Sequence, residues 1–293
     1  MNIQLTALQL GALAGKALME GCTGKVMGIT SRGVFLITGE RILFVTDADY
    51  RSPYNIQVLS RPGQFDPFTT GDDWIFSGNE LIFPDKNIGI DTSKAVFWQP
   101  ALAPMIETTL FEQTRRVDAL LQRMVSLDPG KGWLYLASES DMMPESEGFM
   151  IREMTDRFLA CVKTADLEGS LKAGRSILGR GGGLTPSGDD WLSGFLLYFA
   201  RTKKVNPFIR DLGQSLTALA FDSTTKISAN RIEAACQGWS EELFLEVVDS
   251  LLVTNIEISG IKLERLVSFG HSSGVDTCVG ISAAVKVMNS EHQ

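Results

Sequence analysis

Histidine is almost missing from this chain, with 2 in 293 residues. His292 falls in the terminal tail, so a multi-histidine metal site is excluded. Any Ser-His-Asp arrangement would have to rest on His271. Cysteine is scarce too. Cys22, Cys161, Cys236 and Cys278 are scattered with no C-x-x-C, which argues against a zinc knuckle or disulfide framework and for free thiols in a reducing cytoplasm. Basic residues are outnumbered, 27 Lys+Arg against 35 Asp+Glu, for a net charge of -8. No extended surface for nucleic acid or an anionic membrane is therefore expected. No apolar run reaches the ~18 residues of a membrane-spanning helix. The stretch Leu5 to Leu18 lacks the positive start of a signal peptide and carries Lys16. It reads as an N-terminal helix packed on a cytoplasmic protein.

What is present divides in two. From Gly24 to Gln99, short β-prone runs alternate with turn residues: Lys25–Ile29, Val34–Ile37, Arg41–Val45, Ile56–Leu59, Trp74–Phe76, Leu81–Phe83 and Ala95–Trp98. Such spacing predicts a small antiparallel barrel or sandwich. After Pro100 the period changes to that of helices. Pro104–Leu127 reads as one helix, Trp133–Leu136 as a last strand, and helices are expected near 147–164, 167–178, 187–201, 206–220, 226–238, 241–253, 262–268 and 275–288. The predicted architecture is α+β: a β-rich module with an N-terminal helix over 1–103, then a mainly helical module over 104–293.

The helical half contains an echo. Ser187-Gly188-Asp189-Asp190-Trp191-Leu192-Ser193-Gly194 and Ser273-Gly274-Val275-Asp276-Thr277-Cys278-Val279-Gly280 both read S-G-x-D-x-x-x-G. Each follows a Gly/Ser-rich loop and opens a helix. Bare backbone N–H groups at a helix start favour anions. The candidate donors are Arg180, the amides of Gly181, Gly182, Gly183 and Gly274, and the hydroxyls of Thr185, Ser187, Ser272 and Ser273. A third hydroxyl-rich start, with Thr224 and Thr225, lies between the two. Pro186 suits a first helical turn, Thr185 or Ser187 can cap, and Ser187 with Asp190 has capping-box spacing. Asp190 and Asp276 would orient a substrate or accept a proton, with His271 as the acid/base group near neutral pH. The sequence requires no cofactor. It leaves room for Mg²⁺ on Asp189, Asp190 and Asp276. Two plainer explanations stand beside these: each start is simply a well-capped helix, and Gly194 and Gly280 let two helices pack closely.

The wording and order of Gly183–Asp190, Ser193-Gly194, Thr224-Thr225 and Gly270–Thr277 resemble the AllH-like family, over roughly residues 175–285. A member is the AllH subunit of the three-component oxamate carbamoyltransferase of anaerobic allantoin degradation. The resemblance implies a part in carbamoyl transfer between oxamate and carbamoyl phosphate. It implies a small anionic metabolite (carbamoyl phosphate, oxamate or phosphate) and other subunits of a multi-component enzyme as partners, with no nucleic acid and no membrane. The S-T-R-T-like phosphate loop of common carbamoyltransferases is absent, so any carbamoyl site here is a different solution. The alternatives are a stand-alone Mg²⁺-dependent hydrolase or phosphotransferase, and a non-catalytic scaffold subunit.

Overall fold

The structure, a computed structural model, describes residues 3–137, 146–202 and 206–290; His292 lies outside them. The chain forms two compact units, Met1–Ala101 and Leu102–Gln293.

In the first unit the strands are β1 (Ile3–Gly11), β2 (Thr23–Thr30), β3 (Gly33–Thr38), β4 (Arg41–Thr46), β5 (Asn55–Val58), β6 (Asp73–Ser77), β7 (Glu80–Phe83), β8 (Ile88–Asp91) and β9 (Val96–Trp98), with α1 (Ala12–Glu20) after β1. Eight strands close a barrel in the order β5-β4-β3-β2-β6-β7-β8-β1, sealed by β1 against β5, and β9 is an extra strand on β1. The barrel is mixed rather than purely antiparallel: β1 with β8, β1 with β9 and β4 with β5 run parallel. Its core is filled by inward residues such as Leu36, Leu43, Ile56, Trp74 and Phe83.

The start of the chain corrects the sequence reading. Leu5 to Gly11 is strand, not helix. Leu5, Ala7 and Gln9 are buried while Gln4, Thr6 and Leu8 are exposed, which is the period of a strand with one wet face. Helix begins only at Ala12, where the Pro53 carbonyl accepts the amides of Leu13 and Ala14. β8, unforeseen in the sequence, follows the turn at Asn87, whose backbone is left-handed (φ 52°).

The second unit is helical: α2 (Leu110–Leu127), α3 (Ser146–Lys163), α4 (Leu167–Ile177), α5 (Ser187–Arg201), α6 (Pro207–Ser223), α7 (Lys226–Cys236), α8 (Glu242–Leu252), α9 (Gly260–Ser268) and α10 (Ser273–Ser290). α2 starts six residues later than Pro104 because Thr109 and Glu112 form a reciprocal capping box there. Trp133–Leu136 is no strand; Leu134–Ala137 is a 3₁₀ turn. α5 is the central helix, buried from Ser187 through Phe199. Its Trp191 and Phe195 stack, and Phe158 of α3 packs edge-on against both. Among the described residues no helix is long and apolar enough to cross a membrane.

Candidate functional site

The two S-G-x-D-x-x-x-G segments are geometrically equivalent. A Cβ on Gly194 would lie 2.0 Å from the Thr277 carbonyl oxygen, and one on Gly280 would lie 1.9 Å from that of Trp191. Trp191 and Thr277 are the fifth residues of their segments, so each eighth residue rests on the other segment's fifth. The second residues match as well: a Cβ on Gly188 would reach the Ile177 carbonyl of α4 at 2.1 Å, and one on Gly274 the Leu266 carbonyl of α9 at 1.9 Å. α5 and α10 thus pack on each other reciprocally, and each rests in the same way on the helix that precedes it, α4 or α9. Backbone approaches this close leave room for no other residue.

The carboxylates behave differently from simple caps. Ser187 and Asp190 form no capping box. Pro186 takes the N-cap position without a side-chain bond, and the Gly188 amide donates to the Arg180 carbonyl at 2.9 Å. Asp190 Oδ1 instead pairs with the guanidinium of Arg231, whose Nε lies 3.4 Å from Glu241 Oε1 and whose plane sits over Phe244. Burial pushes the Asp190 carboxyl up to about 7; Arg231 and the Ser273 hydroxyl oppose this, while Asp276 and Glu241 add to it. Asp276 Oδ1 accepts the Trp133 amide at 2.6 Å. Its pKa is also raised by burial, against the Trp133 amide, the Ser187 and Ser272 hydroxyls and the charge of His271. Each aspartate therefore faces the leading serine of the other segment. The Ser273 hydroxyl acts on Asp190, and those of Ser187 and Ser272 on Asp276, without reaching good hydrogen-bond geometry at either Oδ2; Ser193 Oγ and Thr277 Oγ1 are also buried without a partner.

Asp189 is turned away from this pair. Its Oδ1 accepts the Gly179 amide at 2.8 Å and its Oδ2 accepts the Thr224 hydroxyl, which fastens the glycine loop to the start of α7. Burial raises its pKa as well. Asp189, Asp190 and Asp276 therefore do not converge on an Mg²⁺ site. Among the described residues no group of three or more His, Cys, Asp or Glu side chains could hold a metal ion.

The three helix starts do come together. Thr225 caps α7, accepting the Ser228 amide at 3.1 Å and donating to the Leu184 carbonyl at 2.7 Å. The Thr185 and Ser273 hydroxyls lie 2.9 Å apart, and those of Ser187 and Ser272 3.4 Å. Over them run Arg180 and Gly181–Gly183, all exposed, as is His271. Gly181 has φ 105°, and a Cβ there would lie 2.8 Å from the Ser187 nitrogen, so glycine suits it. Among the described residues the amides of Gly181, Gly182 and Gly183 donate to no protein acceptor. The Arg180 Nε donates to the Ser176 carbonyl at 3.2 Å. Thr224 and Gly274 are occupied structurally, the first on Asp189 and the second against Leu266, with its amide given to the Phe269 carbonyl.

The result is an exposed loop with free amides beside paired hydroxyls, with Asp190 and Asp276 buried. Sequence reasoning missed Arg231, Glu241 and the Gly132-Trp133 loop. Arg231 shares the buried face of α7 with Ile227 and Ala234, and a charge at such a core position was the available signal. Nothing local announces Gly132-Trp133, because its partner is distant in the chain. A cavity of about 480 Å³ lies elsewhere, between α5, α6 and α7, against Leu196, Phe199, Ile209 and Cys236. None of the sequence-predicted site residues lines it.

No solved structure matches the chain. A family model does, over residues 177–285, a span that holds the glycine loop and all three helix starts; its description is oxamate carbamoyltransferase subunit AllH. Across that span the chain is similar to the AllH family, the same family that the motifs resemble.

Proposed function

We propose that the helical unit is the anion-binding part of a subunit of a carbamoyltransferase-type complex, acting on oxamate and carbamoyl phosphate in the cytoplasm. The observation that carries this reading is the convergence of three helix starts under a loop whose amides are free. Positive helix ends and unpaired N–H groups favour carboxylate or phosphate. Gly181–Gly183, Thr185, Ser187, Ser272 and Ser273 supply the donors, and Arg180 is the nearby cation. In carbamoyl transfer the acceptor amide nitrogen bonds to the carbonyl carbon of carbamoyl phosphate. The bond to the phosphate oxygen breaks, phosphate leaves, and the nitrogen gives up a proton. A carboxyl poised near 7, as Asp190 is, suits that proton. Asp276 orients the amide, and His271 at the rim serves as a second acid/base group. Other subunits complete the reaction.

One observation favours a second reading, a scaffold subunit: close packing alone accounts for Gly188, Gly194, Gly274 and Gly280. The stand-alone Mg²⁺ enzyme has no such support, since Asp189 is bonded to Gly179 and Thr224, away from Asp190 and Asp276. The readings part in a thermal-shift experiment on the full chain with millimolar oxamate, carbamoyl phosphate and phosphate. A ligand at ~100 times its Kd adds about 2.7 kcal/mol and a rise of several degrees. If none of the three moves the transition, anion binding is wrong and the scaffold remains.

A further inference from the structure

We propose that the cavity between α5, α6 and α7 is a second ligand site, one that takes an apolar α-amino acid as its zwitterion. Each helix turns one face to it, at helical spacing: Leu196 and Phe199 on α5, Ile209 and Gly213 on α6, Glu233 and Cys236 on α7. The hollow exists because residue 213 has no side chain. A Cβ there would stand 3.1 Å from Cys236 Sγ and 3.7 Å from Leu196 Cδ2, in the cavity floor. The volume, about 480 Å³, falls in the range of sites for small molecules.

The lining divides into an apolar floor and a polar mouth. Leu196 and Phe199 are buried, and half-buried Ile209 faces the same space. Burial pushes the Cys236 thiol up to about 11, so it is neutral and packs as a small apolar group, not a nucleophile. The Thr217 hydroxyl is occupied, donating to the Gly213 carbonyl at 2.8 Å. The floor therefore suits an apolar body. Two opposite charges stand at the mouth, exposed Arg210 on α6 and half-buried Glu233 on α7. Arg210 donates from its Nε to Asp211, at 3.2 Å in an exposed pair. Such pairs are weak, and the two terminal nitrogens can fork onto a carboxylate. The charge of Glu233 acts on the Cys236 thiol, which puts it over the floor. A carboxylate accepts from several donors at once, so Glu233 can take an ammonium besides its protein contacts. This pair of charges decides the ligand. An apolar acid would bring its carboxylate against Glu233, and an apolar amine its ammonium against Arg210. A zwitterion meets each with the opposite sign. Gln214 and Gln237 at the same mouth add amide donors and acceptors.

The test is calorimetric titration of the full chain with L-leucine, L-phenylalanine and L-tryptophan. The tightest of them is then compared with its deamino acid, its decarboxylated amine and glycine, which lack the ammonium, the carboxylate and the apolar body in turn. The parent amino acid is expected to bind one to one, and each analogue at least about tenfold more weakly, about 1.4 kcal/mol. Arg210→Gln and Glu233→Gln should each weaken the parent at least about fivefold. Ala200→Leu, which fills the cavity from its α5 wall, should abolish binding. If none of the three amino acids binds at millimolar concentration, or the deamino acid or the amine binds as tightly as the parent, the proposal is wrong. Binding unchanged in both Arg210→Gln and Glu233→Gln would put the ligand elsewhere and overturn it too. Should Ala200→Leu fail to fold, the two mouth variants decide alone.

Discussion

Consider Gly194→Ala at the crossing of α5 and α10. The new Cβ would stand 2.0 Å from the Thr277 carbonyl oxygen, against about 3.4 Å for ordinary contact, so the helices must part by roughly 1.4 Å. Overpacking costs about 1–3 kcal/mol when side chains can yield. Here backbone meets backbone, which puts the loss near the top of that range, about 3 kcal/mol. Alanine returns up to ~1 kcal/mol through helix propensity, leaving a net loss of about 2 kcal/mol. Gly280→Ala, 1.9 Å from the Trp191 carbonyl, should cost the same. The two strain one crossing, so the double variant should lose less than the sum. Gly15→Ala is the control. It is interior to α1 and its nearest neighbour is a side-chain carbon at 3.4 Å, so it should gain about 0.4–1 kcal/mol. Urea unfolding followed by helical ellipticity measures all four. If Gly194→Ala and Gly280→Ala both stay within about 0.5 kcal/mol of wild type, the reciprocal crossing is wrong.

Other outcomes follow from the buried charges. The folded pKa of Asp190, about 7, lies above the ordinary carboxylate value of 3.8, so the folded chain holds an extra proton between them. Stability from this group is therefore full below pH ~4 and lost as pH rises through about 7, by on the order of 4 kcal/mol. Asp189 and Asp276, raised in the same direction, reinforce the slope. Urea melts from pH 5 to 8 should show it, and Asp190→Asn should flatten it; a slope unchanged by that substitution contradicts the burial argument. Arg231→Met removes the cation on Asp190 and should cost about 3–5 kcal/mol, with the deficit greater at pH 8 than at pH 6. A deficit independent of pH would mean that Arg231 acts through packing alone. Thr109→Ala breaks the capping box of α2 and should cost about 0.5–2 kcal/mol in the same assay.

The sequence disclosed most elements whose burial follows a local period. α5, α7 and α10 were legible because apolar residues recur at helical spacing after Ser, Thr and Gly starts. β1 lies in a stretch that reads as helix because alanine and leucine suit either state, and long-range closure between β8 and β5 selects strand. The paired motif was visible, yet what its residues touch was not. Asp189 and Asp190 are adjacent letters, but neighbouring helix positions point apart, toward Thr224 and Arg231. The cap expected from Ser187 failed because its hydroxyl turns toward α10. Trp133 reaches Asp276 only through the tertiary fold.

Three helix starts and one glycine loop are proposed to bind one ligand. Amide hydrogen exchange with and without saturating oxamate or carbamoyl phosphate tests it most directly. Added protection is expected together in three segments: Gly179–Asp190, Thr224–Ser228 and Phe269–Thr277. Protection confined to one of them, or found instead around the α6–α7 cavity, would contradict it.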